Sequence, residues 1–331
     1  MKIDVIGGSG FIGNKVCEIL NENNIEFCIL DKNTNPKFAS KTINCDITNI
    51  NDLNNKISGN TIINLAAVHR DDVRPKSLYD LVNVQGSKNI CEVAKKKGIS
   101  KIIFISSVAV YGFAPKNTYE DGKTKPFNDY GRTKLEAENV YREWYDSSID
   151  NILTIVRPTV VFGENNRGNV YNFINQINKK YYPMIGDGEN HKSMAYVNNV
   201  ASFIIHALDF NEGFHIYNYI DKPDMDMNEL ITIVRTSLNK PLKPVIKLPY
   251  SIALFVGYIF DLVSFVTRIK FPISSIRIRK FCSDSQFGSS VIKSGFQAEF
   301  TLKEALKGTI EFEFIQDNSS ERKFISEWSN I

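Results

Sequence analysis

The feature that most limits what this chain can fold into is a glycine-rich turn placed directly after its first apolar run. Lys2–Ile6 reads as a buried strand, and Gly7-Gly8-Ser9-Gly10-Phe11-Ile12-Gly13 follows it and opens the amphipathic stretch Phe11–Asn23. Glycines at 7, 10 and 13 permit a tight turn, close approach of the backbone to a pyrophosphate, and close packing of helix on strand. A helix that begins there offers free N–H groups and a partial positive charge to phosphate. Gly7, Gly10, Phe11, Ile12 and Gly13 are therefore the expected cradle of a dinucleotide. Asp31, ending the second apolar run, stands where a carboxylate accepts both hydroxyls of an adenosine ribose. Its charge repels a 2′-phosphate and favours NAD over NADP, although Lys32 beside it is a cation that such a phosphate would accept. Asp46-Ile47, after the third strand, is placed either to contact the adenine ring or to make a simple turn.

Apolar runs and amphipathic stretches alternate beyond this point. Glu26–Leu30, Thr61–Ala66, Lys101–Ser106 and Ile152–Val156 read as strands, and Ser77–Lys97 and Tyr130–Tyr145 as helices. The alternation predicts an α/β fold, a doubly wound parallel sheet. After about Gly163 the pattern loosens into a helix over Asn169–Lys179, a turn at Gly186-Asp187-Gly188, a helix over Asn198–Leu208 and a strand over Phe214–Tyr219. The expectation is a dinucleotide-binding domain over 1–165 and a smaller C-terminal substrate domain over 166–331, some of whose elements return to the first sheet.

Composition matters mainly for what it excludes. With 43% hydrophobic and 23% charged residues the chain can build a substantial core, and disorder is expected only in the last dozen polar residues. A net charge of +3 gives no case for nucleic acid. Between Lys243 and Lys280, however, seven basic residues stand against one acid, Asp261. That segment contains Pro249–Lys270, a nearly continuous apolar run about as long as a bilayer span. Asp261 near its middle would cost several kcal/mol in a membrane core. Three readings stay open: a helix lying in the membrane interface and drawn to anionic lipid, a buried core helix or oligomer contact, and a true span. The five cysteines (Cys17, Cys28, Cys45, Cys91, Cys282) show no CxxC pair and read as reduced thiols of a cytoplasmic protein. Four histidines lack ligand spacing, so no metal is expected. The chain starts directly on a strand, which predicts no signal peptide.

Tyr130-Gly131-Arg132-Thr133-Lys134 sets a tyrosine and a lysine four apart on one helix face. A phenol with a pKa near ~10 is a poor base at neutral pH. A nearby ammonium favours the phenolate and lowers that value. Upstream, Phe104-Ile105-Ser106-Ser107-Val108-Ala109-Val110-Tyr111-Gly112 reads as a strand ending in hydroxyl residues. Ser107 stands where it could bind the same substrate oxygen that Tyr130 deprotonates.

These residues together resemble the extended short-chain dehydrogenase/reductase family of sugar epimerases, dehydratases and reductases, over essentially the whole chain. The resemblance implies a Rossmann-type sheet, NAD as cofactor, and Ser107, Tyr130 and Lys134 as the catalytic trio. It also sets Tyr130, Lys134 and Ala66 against the cofactor, and Asn83 and Arg157-Pro158 at structural or cofactor-proximal positions. Finer stretches, among them Ala66-Ala67-Val68-His69-Arg70-Asp71-Asp72-Val73, Asn166-Arg167-Gly168-Asn169, Lys192-Ser193-Met194-Ala195-Tyr196-Val197 and Arg277-Ile278-Arg279-Lys280-Phe281-Cys282, resemble one subgroup. Its members are 4-epimerases that interconvert N-acetylglucosamine and N-acetylgalactosamine on undecaprenyl diphosphate for O-antigen (lipopolysaccharide) assembly.

That subgroup implies oxidation at C4 with the hydride passing to NAD, rotation of the 4-keto sugar, and return of the hydride to its other face. Dehydratases of the family carry an Asp-Glu pair where this chain has Val108-Ala109, which cannot transfer protons. Nucleotide-sugar epimerases carry a phosphate-gripping arginine where this chain has Met194, a role that Lys192 or Arg167 could take over. The Pro249–Lys270 run suits a lipid-linked sugar and peripheral contact with the inner face of the cytoplasmic membrane. His69 and Arg70, with Asp71, follow the fourth strand and read as substrate contacts or as a solvated loop. Arg167 and Asn169 could hold the sugar diphosphate. Relatives also imply a homodimer. The rivals are a UDP-hexosamine 4-epimerase or 4-ketoreductase and, of another class, a non-catalytic dinucleotide sensor, which would have no reason to keep Ser107, Tyr130 and Lys134.

Overall fold

The computed structural model of the protein describes residues 1–70, 73–179, 184–242, 247–268 and 274–316. The polar tail from 317 onward lies outside them. In chain order β1 (Lys2–Ile6), α1 (Phe11–Glu22), β2 (Glu26–Asp31), β3 (Thr42–Asn44), α2 (Ile50–Lys56) and β4 (Thr61–Asn64) come first. The helix expected over Ser77–Lys97 comprises α3 (Ser77–Tyr79), a wider π-helical turn over Asp80–Gln85, and α4 (Gly86–Lys97). Next come β5 (Lys101–Ile105), α5 (Asp129–Asp146), β6 (Ile152–Pro158), β7 (Val160–Phe162), α6 (Asn169–Asn178), β8 (Met184–Ile185), β9 (His191–Tyr196) and α7 (Val197–His206). The chain continues through β10 (Phe214–Tyr219), β11 (Asp221–Asp226), α8 (Met227–Ser237), β12 (Lys247–Leu248), α9 (Tyr250–Thr267), α10 (Ser275–Cys282) and α11 (Leu302–Ile310).

Seven strands make one sheet in the order β10-β6-β5-β4-β1-β2-β3, with neighbouring strands parallel throughout. Both faces are covered, which is why the strands are near-continuous apolar runs. Successive residues point to opposite faces. Leu30, Ile62, Phe104 and Ile155 meet Ile90, Ala94, Ala137 and Tyr141 on one side. Ile29, Ile63, Ile103 and Val156 meet Val16, Leu20, Phe203 and Ile204 on the other. Strand order reverses between β1 and β4, the place where open sheets of this kind bind ligands at their C-terminal edge. The α/β, doubly wound parallel architecture is as expected.

Two compact units result. The first comprises Met1–Val161, Ala195–Asp221 and Phe287–Phe300, and the second Phe162–Met194, Lys222–Gln286 and Thr301–Ile331. α7 and β10 belong to the first because β10 pairs with β6 along the sheet edge and α7 covers the face that α1 shares. Within the second unit, α6 and α11 pack on α8, and β8 pairs in parallel with β12. α8 and α11 each begin at a capping box, Asp226 with Glu229 and Thr301 with Glu304, that satisfies their first N–H groups.

The apolar run forms α9, and 269–270 lie outside the described residues. Only 11% of this 18-residue helix is buried, and its mean hydropathy is 1.7. Phe255, Leu262, Phe265 and Val266 all face outward. The buried-core reading of this segment is therefore wrong, since these apolar side chains stay outside the core. α10 packs on α9 at Gly257, where a Cβ would lie 2.9 Å from the Ser275 backbone. Asp261, the one charge on the helix, accepts the Ser275 N–H at 3.1 Å and so caps α10.

Tyr141 is wholly buried, and its hydroxyl accepts from Asn64 Nδ2 at 2.7 Å beneath the C-terminal end of β4. Tyr141→Phe strands that donor and is expected to cost about 1–3 kcal/mol. A lower urea midpoint with an unchanged slope would report it; an unchanged midpoint would show that the bond contributes nothing.

Candidate active site

Between β1 and α1 the chain turns at Gly7, whose φ of +78° suits only glycine. A Cβ there would lie 2.6 Å from the Ala66 nitrogen, and one at Gly13 would lie 2.4 Å from the Gly7 carbonyl oxygen. The loop thus rests directly on the end of β4 and on α1. α1 starts at Gly10 with no side chain among the described residues capping it, which leaves its first N–H groups for a ligand. Phe11 and Ile12, half-buried, make its first turn. Two residues that sequence reasoning missed brace the loop. Asn35, fully buried, donates to the Gly8 carbonyl at 3.1 Å and to Asn14 Oδ1 at 2.8 Å. Asn14 in turn donates to the Ser9 and Gly10 carbonyls. Asn14 adjoins the glycines in sequence, whereas Asn35 stands 27 positions from Gly8 and gives no local signal.

Asp31 ends β2 beside this loop and accepts N–H bonds from Ser9 and Asn33, each at 3.0 Å. Burial pushes its carboxyl above the usual range, and those N–H groups recover only part of the shift. Lys32 pairs with Asp46 at 3.0 Å. Burial opposes ionisation of Asp46, but hydrogen bonds from Thr48 and Lys32 outweigh it and hold the carboxyl below the usual range. Its geometry is that of a turn acid, Oδ1 accepting from both N–H and Oγ of Thr48. Ile47 is buried against Gly86, where a Cβ would lie 2.6 Å from its Cδ1.

After β4, Ala66 donates its N–H to Asn64 Oδ1 at 3.1 Å. Asn83, on the π-helical turn, holds the following loop by bonding both backbone groups of Val68, at 2.8 and 3.0 Å. Its amide also donates to Thr133 Oγ1 at 3.0 Å, which ties this loop to α5. The Arg70 carbonyl accepts from the Tyr79 hydroxyl. His69 and Arg70 are exposed on this loop, and Asp71 lies outside the described residues.

Ser107 follows β5 at the same edge of the parallel sheet, half-buried, its Oγ accepting the Ala109 N–H at 3.1 Å. α5 begins at Asn128, whose side chain caps the Gly131 N–H at 2.8 Å. Gly131 is required there because a Cβ would lie 2.4 Å from the Ala109 carbonyl oxygen. That approach sets Tyr130, in the first turn of α5, beside the segment carrying Ser107. One turn further, the buried Lys134 donates from Nζ to the Ile105 carbonyl at 2.6 Å and lies 4.6 Å from the centre of the Phe104 ring. Burial pulls its ammonium down to about 7, against the opposing charge of Glu138. Behind the trio, Arg157 forks onto Glu138 and donates to the Tyr111 hydroxyl, which donates to Asn218 Oδ1 at 2.8 Å. Sequence reasoning placed Arg157 here but missed Glu138, whose signal was a carboxylate one turn after Lys134.

Arg167 and Asn169 belong to the second unit. Nη1 of Arg167 bonds the buried Glu313, and its guanidinium lies 4.3 Å from the Tyr171 ring centre. Asn169 is exposed in the first turn of α6. Lys192 is engaged by the backbone. Its buried Nζ donates to the Lys280 and Ser283 carbonyls at 3.0 and 2.5 Å, and burial holds it at about 8.

Because the unfolded chain keeps Lys134 protonated up to about pH 10, it binds more protons than the folded chain between about pH 7 and that limit. Stability should therefore rise with pH across that window, the burial penalty being complete below it. Lys134→Met is expected to flatten this rise in denaturant titrations run at several pH values. An equally steep rise in the variant would assign it to another group.

Comparison with known proteins agrees with this geometry. Residues 3–219 match the NAD dependent epimerase/dehydratase family. The chain is 44% identical over 328 residues, 98% of each chain, to the N-acetyl-alpha-D-glucosaminyl-diphospho-ditrans,octacis-undecaprenol 4-epimerase of Escherichia coli O157:H7. The UDP-glucose 4-epimerase of Thermotoga maritima, solved with UDP-glucose, superposes with a TM-score of 0.73 at 22% identity, covering 94% of this chain and 98% of that one. The Thermus thermophilus UDP-glucose 4-epimerase, solved with NAD, gives 0.71 at 19% identity, with the same coverage. At those identities the two structures speak for the fold alone. The family match and the end-to-end relative go further: this chain belongs to the NAD dependent epimerase/dehydratase family.

Proposed function

We propose that the chain is an isomerase, a 4-epimerase that interconverts N-acetylglucosamine and N-acetylgalactosamine on undecaprenyl diphosphate. The observation that carries this reading is the likeness to the Escherichia coli O157:H7 enzyme of that name over 98% of both chains. NAD fits the glycine loop, since Gly7 and Gly13 let the turn close tightly on the end of β4 and on α1, and α1 opens there without a side-chain cap. Gly7, Gly10, Phe11, Ile12, Gly13, Asp31, Asp46, Ile47, Ala66, Tyr130 and Lys134 would hold it. Bound there, NAD would accept a hydride from C4 of the sugar and give it back. Tyr130, as phenolate, takes the O4 proton and later returns it. Ser107 donates to the same oxygen while Lys134 favours the phenolate. His69 and Arg70 in the first unit, and Arg167 and Asn169 in the second, are the substrate contacts of this reading.

A lipid-linked sugar is favoured over a nucleotide sugar by the likeness to the Escherichia coli O157:H7 enzyme. Met194 stands buried where a nucleotide-gripping arginine would be, while Lys192 donates to two carbonyls and Arg167 pairs with Glu313. The exposed α9 also fits a carrier that resides in a membrane. Its apolar side chains, with Lys247, Arg268, Arg277, Arg279 and Lys280 around it, suit a cytoplasmic protein lying on the inner face of an anionic bilayer. The homodimer belongs to this reading through the family resemblance alone.

Purified protein without added cofactor, given either lipid-diphosphate-linked or UDP-linked N-acetylglucosamine, should form the galacto epimer on the lipid carrier. Turnover on the UDP sugar alone would overturn the reading, and full turnover by Tyr130→Phe would remove the assigned base. Phe255→Ser with Phe265→Ser should weaken co-sedimentation with phosphatidylglycerol vesicles by roughly tenfold or more. Equal binding of parent and variant would dismiss α9 as the membrane contact.

A further inference from the structure

Glu138 lies one turn along α5 from Lys134, 2% exposed, and its carboxylate is divided among three demands. Arg157 occupies both oxygens, Nε to Oε1 at 2.9 Å and Nη2 to Oε2 at 2.6 Å. Ser106 donates its hydroxyl to Oε1. The third demand is the charge of Lys134 itself. Ser106 is the neighbour of Ser107, and the residue before it, Ile105, accepts from Lys134. A closed ring therefore runs from Glu138 through Ser106 and Ile105 to Lys134 and back along α5. Ser106 also donates its N–H to the Val156 carbonyl at 2.7 Å, so the end of β5 is held from two directions.

We propose that Glu138 is a positioning residue of the reaction: it locks the serine-bearing end of β5 to α5 and favours the protonated form of Lys134 against its burial, so that Tyr130 ionises at lower pH than it would without that carboxylate. The proposal rests on the reading of Tyr130 as the base.

The electrostatics follow from which groups can lose a proton. Lys134 meets Glu138 from its own helix, four residues beyond Tyr130, with His69 from the loop after β4 and, through Glu138, Arg157 on β6 and Tyr111 bonded to it. Among these described groups, Glu138 is the carboxylate. Arg157 cannot deprotonate in a protein. If the charge of Glu138 is removed, two buried cations remain, and Lys134 is the one that yields its proton. A neutral Lys134 no longer favours the phenolate, so the pKa of Tyr130 rises. A purely structural Glu138, present only to neutralise Arg157, would not move Tyr130 once both partners were removed together.

Two variants separate these roles. Glu138→Gln keeps the shape and removes the charge. Glu138→Gln combined with Arg157→Met removes the whole pair, an exchange that buried ion pairs often tolerate without loss of stability. For each, the pH profile of kcat/KM on the lipid-linked sugar is measured, and Tyr130 is titrated directly by the ultraviolet absorbance of its phenolate, as the difference from Tyr130→Phe. The expected result is a shift of both the acidic limb and the phenolate titration to higher pH by about one unit or more in both variants. At neutral pH that is roughly a tenfold loss of rate. Unshifted titrations in both variants, or a shift in the single variant that the double one abolishes, would overturn the proposal. The phenolate titration reads the effect of Glu138 on Tyr130 even if the substrate proves to be a different sugar, so failure of the substrate reading and failure of this one are distinguishable.

Discussion

The site depends on one backbone contact, the approach of Gly7 to Ala66. With φ at +78° and a would-be Cβ 2.6 Å from the Ala66 nitrogen, Gly7 lets the turn after β1 lie flat against the turn after β4. These two strands flank the point where strand order reverses. Any side chain at Gly7 would drive the two turns apart. From that contact the rest is placed in sequence. α1 leaves with its N–H groups exposed, Gly13 seats on the Gly7 carbonyl, and β5 brings Ser107 out at the same edge.

Much of this was legible in the chain itself, for reasons that particular residues make plain. Buried parallel strands need apolar residues on both faces, so Ile62-Ile63 and Ile102-Ile103 announce themselves without structure. The glycine turn and the Tyr130–Lys134 pair are local patterns whose chemistry depends on residues a few positions apart. What stayed hidden depends on contacts between distant parts of the sequence. Asn35 reaches Gly8, Glu138 reaches Arg157 and Ser106, and Arg167 reaches Glu313 across 146 positions. A polar residue in an amphipathic helix looks the same in sequence whether it meets solvent or a buried guanidinium. Lys192 illustrates the converse, since a cation that looked free for phosphate already donates to two carbonyls.

α5 shows how the fold accommodates chemistry at the expense of packing. Its inward face carries Thr133, Lys134 and Glu138 in the same layer as Ala137 and Tyr141. Apolar residues at the first three positions would make a tighter and more stable contact with the sheet. Instead each polar group is matched: Thr133 by Asn83, Lys134 by Ile105, Glu138 by Arg157 and Ser106. The matching makes the helix rigid where the reaction needs it, because rotation of α5 would break several buried bonds at once.

The cap that Asp261 places on α10 sets what α9 can do without breaking its own contacts. Threading α9 through a bilayer would carry that carboxylate into hydrocarbon and strip the Ser275 N–H of its partner. A reclining helix would keep both that bond and the close packing at Gly257. On the reading proposed above, an enzyme moored in that way would be free to leave without unfolding and would search a plane for its substrate instead of a volume.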